Sequence, residues 1–252
     1  MNRHSITEVL DILYALFKDY PLTELQYQTP FQLLVAVMLS AQTTDKQVNK
    51  VTEPLFQTVF SPADLCAMTP QEVVLAVKGV NYAATKAKNL IALATLLTES
   101  TPVSTHNELP STDTHRTVRD MRTEWVHFSS AEDVFQHYGY RIPDTIETLT
   151  LLPGVGIKTA KVVLAVLYGQ KRIAVDTHVH RVANRLWRVS TTMPEQTSKQ
   201  LETIIPNSYK DVAHRVLIYF GRYRCTAKKP QCGTCPFQER CPRYNTIRTQ
   251  KD

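Results

Sequence analysis

The chain has 252 residues, 43% of them hydrophobic, which is enough to bury the core of one large domain or two small ones. Its net charge of +6 is a weak indication of a polyanionic partner, since many proteins are mildly basic. No apolar run reaches the length of a transmembrane helix, and the N-terminus lacks the layout of a signal segment. We therefore expect no membrane contact and a cytoplasmic protein, associated with the nucleoid if the source is bacterial.

The first half of the chain is predicted to be entirely helical, because it contains no long strand-like alternation. A first helix from about Ile6 to Lys18 has an apolar stripe and the capping box Ser5 and Glu8, and Pro21 ends it. Several later helix starts share one device, a cap residue followed three positions later by an acidic or amide side chain. The predicted caps are Thr29, Thr44, Ser61 and Thr69.

The helix from Pro30 to about Leu39 is apolar nearly all round, which predicts that it is buried in a domain centre. It runs into a polar segment that contains Gln42. Its amide can both donate and accept hydrogen bonds, so Gln42 is a candidate for contact with a binding partner. The alternative is an ordinary polar connection between helices. A second segment, Asn81-Tyr82, precedes a helix that carries Lys86 and Lys88, which are either phosphate contacts or part of a solvated face.

The stretch from Leu151 to Ala160 predicts a helix, a glycine turn and a second helix. We expect Asp144 to cap the first helix and Gly169 to end the second, which should run from Ile157 to Tyr168. Gly154 and Gly156 allow left-handed angles and close approach, and the free N–H groups of such a turn form a phosphate site. Lys158 lies at the start of the second helix. A lysine there is usually a solvated charge, but the helix end disfavours a positive charge, which makes Lys158 a candidate nucleophile.

Residues from about 99 to 136 are rich in Ser and Thr and carry seven acidic and three basic side chains. This segment has a net charge of −4, so the rest of the chain carries +10. We expect a surface loop in which Trp125 and Phe128 dock locally and Ser130 caps a short helix. His106, His115 and His127 lack the spacing of metal ligands, and we assign the segment no function.

After the glycine turn, Asp176 follows an apolar triplet and is predicted to cap a helix from about Thr177 to Trp187. His178 and Arg181 share one face of that helix; we expect a structural role for His178 and a phosphate contact for Arg181. Two further helices are predicted at about 195–204 and 208–220, with Gly221 closing the second.

The chain has five cysteines, an odd number that argues against a disulfide framework. Cys66 stands alone and is expected to be a small buried apolar residue. The other four have the spacing Cys-x6-Cys-x2-Cys-x5-Cys. Four thiolates at one place can ligate either zinc or an iron–sulfur cluster, and the residues alone leave the metal open. These four are Cys225, Cys232, Cys235 and Cys241.

Together, the glycine turn, Lys158, Asp176 and the four cysteines resemble the endonuclease III family of DNA glycosylases. The resemblance covers nearly the whole chain except the segment 99–136. It implies an all-α, helix-hairpin-helix glycosylase fold of two helical lobes with a DNA-binding cleft. One lobe would be a bundle of about six helices, residues 21–169, and the other would join residues 1–20 to 170–252 and hold the cluster.

The resemblance also implies roles for individual residues. Lys158 and Asp176 would be catalytic, and the turn at Gly154 and Gly156 would grip a phosphate. Gln42 would fill the space left by an extruded nucleotide, with Tyr82 as a second wedge where family members often have Gly-Leu. The four cysteines would hold a [4Fe–4S] cluster of structural role. That cluster would pin a loop whose Lys228 and Lys229 face the DNA backbone.

The implied activity is that of a bifunctional glycosylase and abasic-site lyase, acting as a monomer on double-stranded DNA that contains damaged bases or abasic sites. Adenine-mismatch and thymine-mismatch relatives lack a lysine at the position of Lys158. The adenine-mismatch relatives also carry a further C-terminal domain, whereas this chain continues for eleven residues after Cys241. Oxidised pyrimidines such as thymine glycol are therefore the expected substrates. The alternatives are a non-catalytic helix-hairpin-helix DNA-binding or iron–sulfur protein and a zinc-binding structural protein.

Overall fold

The structure is a computed structural model that describes residues 6–100, 127–187 and 189–248. These residues form thirteen α-helices and no strand. The chain divides into two compact units: the central unit, Pro21–Gly169, and the terminal unit, which joins Met1–Tyr20 to Gln170–Asp252. None of the described helices is long and apolar enough to cross a membrane.

The described part of the central unit contains eight α-helices, two more than the bundle of about six that the sequence predicted. Two of the eight are short, since α4 has five residues and α8 has four. The eight helices are α2 (Pro30–Leu39), α3 (Asp45–Leu55), α4 (Pro62–Cys66), α5 (Pro70–Ala76), α6 (Ala83–Glu99), α7 (Ala131–Tyr138), α8 (Ile146–Leu149) and α9 (Ile157–Tyr168).

Helix α2 forms the centre of this unit, since all ten of its residues are buried. The predicted caps are confirmed: Thr29, Thr44, Ser61 and Thr69 each accept a hydrogen bond from the backbone N–H three residues later. Each cap satisfies an N–H group that the helix itself leaves free. The starts of these helices were therefore readable from local sequence.

Two predictions in the central unit are wrong. Helix α8 is capped by Thr145, which accepts from the N–H of Thr148, whereas the Asp144 carboxylate accepts from the backbone of Ala131 at the start of α7 at 3.0 Å. Asp144 thus serves a neighbouring helix, which local spacing cannot show. Cys66 is exposed rather than buried, because the five-residue helix α4 turns Leu65 to the core.

Most of the segment 99–136 lies outside the described residues, including Trp125, His106 and His115. Its described end behaves as predicted. Phe128 is buried, its N–H donates to the Leu167 carbonyl at 2.9 Å, and Ser130 caps α7. His127 packs against Gly169 and contacts the Val166 carbonyl.

The described part of the terminal unit is built on α1 (Ile6–Phe17), α10 (Thr177–Leu186), α11 (Pro194–Ile204), α12 (Lys210–Tyr223) and α13 (Pro242–Arg248). Leu10 and Leu13 of α1 share a buried cluster with Val216 and Leu217 of α12. The first helix of the chain therefore packs against a helix near its end. The predicted capping box of α1 includes Ser5, which lies outside the described residues.

Gly221 does not end a helix, contrary to the prediction, because α12 continues through it to Tyr223. A Cβ at Gly221 would lie 2.9 Å from the His178 Cβ and 3.2 Å from its carbonyl oxygen. The glycine is therefore needed for close approach of α10 and α12, not for a change in chain direction.

Candidate active site

The glycine turn between α8 and α9 keeps its backbone donors available. Gly154 has φ +79°, whereas Gly156 is extended at φ −91°, so only the first needs a left-handed conformation. The Val155 N–H bonds to the Leu152 carbonyl at 3.1 Å. Within the part of the chain that the structure describes, the N–H groups of Gly154 and Gly156 donate no hydrogen bond. Such a turn before a helix N-terminus is suited to an anion.

The turn is also fixed to the rest of the central unit. A Cβ on Gly154 would lie 2.8 Å from Asn89 Nδ2 of α6 and 2.9 Å from Met38 Cε of α2. A Cβ on Gly156 would meet nothing within 4 Å. The two glycines therefore differ in role, since Gly154 allows packing and Gly156 leaves an open surface.

Lys158 is the second residue of α9 and its side chain is exposed. The first turn of α9 contains no acidic residue, and its cap residue, Gly156, has no side chain to accept a bond. Among the described residues the Lys158 amine has no hydrogen-bond or ion-pair partner. A free amine beside an anion-accepting turn could attack an electrophilic carbon of a bound polyanion.

The two wedge candidates, Gln42 and Tyr82, lie at the ends of neighbouring segments of the central unit. Both side chains are exposed, and both backbones are left-handed with φ 58°. Asn81 brings the segments together, since its Nδ2 donates to the Gln42 carbonyl at 2.5 Å and its N–H donates to Thr43 Oγ1 at 3.1 Å. The two predicted residues thus lie on segments that Asn81 joins by hydrogen bonds, a role that the sequence did not predict for it.

Lys86 is a buried residue, not the phosphate contact or solvated side chain that the sequence suggested. Its Nζ donates at 2.7 Å to the carbonyls of both Leu39 and Ala41, at the C-terminal end of α2. The negative end of the α2 dipole favours an ammonium group there. Burial lowers the pKa of Lys86. Its position in a stripe with Leu90, Leu93 and Leu97 was the sequence signal for burial.

Asp176 caps α10, as predicted. Its Oδ1 accepts from the N–H groups of His178 and Val179, both at 2.8 Å. Asp176 is half-buried, and its Oδ2 accepts no hydrogen bond from a described residue. One carboxylate oxygen therefore fixes the side chain, and the other is available to stabilise a positive charge.

Arg181 has internal partners that the sequence did not reveal. Its Nη2 donates to the Gly221 carbonyl at 2.8 Å and its Nε to the Cys225 carbonyl at 3.0 Å, and Nη2 also contacts His178 Nδ1 at 3.2 Å. Burial, with a smaller effect of Arg185, lowers the pKa of Arg181. These bonds give Arg181 a structural role between α10, α12 and the cysteine loop, and a phosphate contact stays a prediction.

The four cysteines line one pocket in the terminal unit. Leu186, Phe220 and Pro230 contribute to the same lining. Burial raises the pKa of the Cys232 and Cys235 thiols, so metal binding must displace their protons. Among the described residues no three His, Cys, Asp or Glu side chains form a set able to hold a single metal ion. The pocket brings all four thiols to one lining, which is what a cluster bound by four thiolates requires.

The loop between the first two cysteines is held by Arg185, another residue that the sequence did not single out. Its Nη1 donates to the Thr226 carbonyl at 2.7 Å and contacts Cys225 Sγ at 3.4 Å, and its Nη2 donates to the Ala227 carbonyl at 3.1 Å. The next two residues, Lys228 and Lys229, are exposed and have no partner among the described residues. Two free positive charges on an anchored loop are suited to a polyanion.

The site residues fall into two groups. The central unit holds Gln42, Tyr82, Lys158 and the glycine turn, and the terminal unit holds Asp176, Arg181, the cysteines and the loop lysines. Sequence reasoning missed Asn81, Lys86 and Arg185 as supports, because each acts on a backbone carbonyl distant in sequence.

Comparison with known proteins gives the chain a family. Residues 35–207 match the model of the HhH-GPD superfamily of base excision DNA repair proteins, and residues 225–241 match the iron–sulfur binding domain of endonuclease III. Endonuclease III of Rickettsia conorii is 36% identical over 98% of this chain and 100% of its own length. Endonuclease III of Escherichia coli is 35% identical over 96% of each.

Similar solved structures support the same family. A trapped endonuclease III–DNA covalent intermediate is similar with a TM-score of 0.77 and 32% identity, covering 98% of this chain and 99% of that one. A non-covalent endonuclease III–DNA complex has the same TM-score and 31% identity, covering 99% of each chain. The described residues form helices and no strand, as in the predicted helix-hairpin-helix glycosylase fold, and residues 225–241 match an iron–sulfur binding domain. The chain belongs to the endonuclease III family of base excision DNA repair enzymes, which are DNA glycosylases with abasic-site lyase activity.

Proposed function

We propose that this chain removes oxidised pyrimidines, such as thymine glycol, from double-stranded DNA and then cuts the strand through a Lys158 Schiff base. The observation that carries the proposal is the free amine of Lys158 beside the open N–H groups of the glycine turn. A turn that binds the backbone phosphate next to a lesion would bring the sugar within reach of that amine.

The chemistry begins with the neutral Lys158 amine. Its nitrogen forms a bond to C1′, the bond from C1′ to the base breaks, and the base leaves with the electron pair and takes up a proton. Asp176 accepts a proton from the attacking amine and stabilises the positive charge that develops on the sugar. Its unbonded Oδ2 supports this role.

Opening of the sugar ring then leaves an imine between Lys158 and C1′. The protonated imine withdraws electrons, so a base can remove a proton from C2′. The bond from C3′ to its oxygen breaks, and the phosphate leaves with the 3′ strand. This β-elimination cuts the strand 3′ to the site, and hydrolysis of the imine restores the lysine.

A damaged base in a duplex must be extruded before a side chain can reach its sugar. We assign the filling of the resulting gap to Gln42 and Tyr82. Their exposed, unpartnered side chains support this role, since an amide can bond to an orphaned base and a phenol ring can stack. Lys228, Lys229 and Arg181 are the proposed backbone contacts, although the internal bonds of Arg181 leave it fewer free donors.

The four cysteines are proposed to hold a [4Fe–4S] cluster, each thiolate binding one iron. When bound, the cluster supplies structural cross-linking of residues 225–241 rather than chemistry on the DNA. We expect the enzyme to act as a monomer. A non-catalytic DNA-binding protein of the same fold would need neither Lys158 nor Asp176.

The test is borohydride trapping on a duplex with one thymine glycol, using the native protein, Lys158→Ala and Lys50→Ala. Lys50 is a matched control because it is an exposed lysine of the same unit, on α3. We expect a covalent protein–DNA adduct for the native protein and Lys50→Ala and none for Lys158→Ala. An adduct with all three proteins would move the nucleophile elsewhere. Absence of both adduct and cleavage, on this duplex and on one with an abasic site, would refute the lyase mechanism.

A further inference from the structure

The two wedge side chains are joined through one amide. Asn81 lies immediately before Tyr82, and its Nδ2 donates to the carbonyl of Gln42, 39 residues away in sequence, at 2.5 Å. The Asn81 N–H adds a second bond between the segments, to Thr43 Oγ1 at 3.1 Å. A residue without a side-chain donor, such as glycine, could not make the first of these bonds.

Lys86 also holds this segment, through its ammonium group. It donates to the carbonyls of Leu39 and Ala41 at 2.7 Å each and to Thr43 Oγ1 at 3.3 Å. Together with Asn81 it therefore binds polar groups of three successive residues, 41, 42 and 43. All of these bonds reach the backbone or Thr43, and none involves the side chain of Gln42.

The backbone at both wedge residues is in a conformation that needs such support. Gln42 and Tyr82 each have φ 58°, which side chains with a Cβ adopt only at a cost. At the same time their side chains are exposed and make no bond to a described residue. The structure thus fixes the backbones and leaves the two side chains free to contact a partner.

We infer that Asn81 and Lys86 are positioning residues that hold Gln42 and Tyr82 as a single preformed double wedge, so that both side chains enter the base stack together. The inference rests on the proposed function, since it assumes that these side chains fill the duplex. Its physical basis is preorganisation. A loop that is ordered beforehand loses no conformational entropy when it displaces a base, so more of the contact energy goes into opening the duplex.

The test uses the full-length, cluster-containing protein with Asn81→Ala. Asn81 is exposed and is not a positive-φ residue, so alanine fits the backbone. Opening is measured with a fluorescent purine analogue opposite the lesion, in a Lys158→Ala background that stops the chemistry. Excision is measured separately, in single-turnover reactions with Lys158 present. Loss of one hydrogen bond is expected to reduce both opening and excision about three- to tenfold. A duplex whose lesion is already unpaired in a bulge should show no difference.

The matched control is Asn49→Ala. Asn49 also joins a loop to a helix of the central unit, donating to the Glu24 carbonyl at 2.8 Å and accepting from the Gln26 N–H at 2.9 Å, but it does not touch the wedge. Asn49→Ala should lower the melting temperature of the protein at least as much as Asn81→Ala does. It should leave opening of the duplex unchanged. If Asn49→Ala and Asn81→Ala reduced duplex opening equally, the effect of Asn81→Ala would come from a general loss of stability.

A double-mutant cycle tests whether Asn81 acts through the wedge. With Gln42→Ala present, Asn81→Ala should have a smaller effect than in the native background, because the side chain being positioned is gone. The inference would be contradicted if the fold-changes of Asn81→Ala and Gln42→Ala simply multiplied. It would also be contradicted if Asn81→Ala opened the duplex as well as the native protein. If the native protein opens the duplex but does not excise the base, the proposed function fails and the positioning role stands. If the native protein excises the base and Asn81→Ala has no effect, the proposed function stands and the positioning role fails.

Discussion

At the scale of single residues, the two glycines of the hairpin turn make different contributions, and substitution should separate them. Gly154→Ala places a side chain at φ +79° and within 3 Å of Asn89 and Met38. We expect it to lower the free energy of unfolding by about 1–3 kcal/mol, because strain and overpacking add. Gly156→Ala meets open space at φ −91°, so its stability should stay within about 0.5 kcal/mol of the native value. Urea unfolding measures both.

The same pair tests the turn as a phosphate site. Gly156→Ala should weaken binding to a lesion-containing duplex despite its native stability, because the new methyl group stands where the backbone would approach the DNA. Binding is measured at fixed salt. Native affinity for Gly156→Ala would show that the DNA does not approach this part of the turn.

The residue scale is also where sequence reasoning had least power. The positions of Lys158 and Asp176 could be predicted because a turn and a cap define them locally, and their catalytic roles stay predictions that the family resemblance implies. The partners of Lys86 and Arg181 could not be predicted, since their hydrogen bonds reach carbonyls of other helices. A basic side chain near a DNA-binding motif suggests a phosphate contact from sequence alone, and only tertiary structure shows that its donors are already used.

At the scale of elements, the loop from Cys225 to Cys232 depends on α10. The forked guanidinium of Arg185, on that helix, donates hydrogen bonds to three carbonyls and one sulfur of the loop. Arg185→Lys keeps the charge but not the fork, so the loop should loosen. We expect a chelator to remove iron several-fold faster and the affinity for undamaged duplex to fall, because Lys228 and Lys229 are less well placed.

Arg243→Lys is the control for that prediction. Arg243 is exposed and lines the same pocket, but it makes no hydrogen bond to a described residue. Its substitution should leave iron loss and DNA affinity unchanged. Identical behaviour of the two variants would show that charge, not the fork of Arg185, holds the loop.

Helix starts show why some elements were predictable and others were not. Four caps were read correctly, because a cap acts over three residues and its pattern lies in the local sequence. Asp144 fitted the same pattern but accepts from α7, and Thr145 took its place. Gly221 fitted a helix end but lies within α12, because His178 of α10 packs against it. A local pattern predicts a helix start or end correctly unless the residue interacts with a neighbouring helix instead.

At the scale of the whole molecule, buried tyrosines should make the central unit sensitive to alkali. Burial raises the pKa of Tyr27 from 10.0 to about 12, and it also raises the pKa values of Tyr140 and Tyr168. All three lie in the central unit. A tyrosine whose pKa is raised by folding loses its proton first in the unfolded chain. Its contribution to stability is therefore complete below pH 10 and declines as the pH rises towards 12.

The expected size of this effect follows from Tyr27 alone. A rise from 10.0 to about 12 corresponds to about 2–3 kcal/mol that would be lost across the interval. The free energy of unfolding, measured by denaturant titration between pH 8 and pH 12, should fall with rising slope above pH 10, in step with tyrosinate absorbance. Tyr27→Phe should reduce the fall, because phenylalanine has no proton to lose. Tyr82→Phe changes an exposed phenol that has no partner among the described residues, so its pH profile of stability should match the native one. If Tyr27→Phe instead leaves the alkaline loss unchanged, groups other than this buried phenol set the limit, and the central unit opens before Tyr27 titrates.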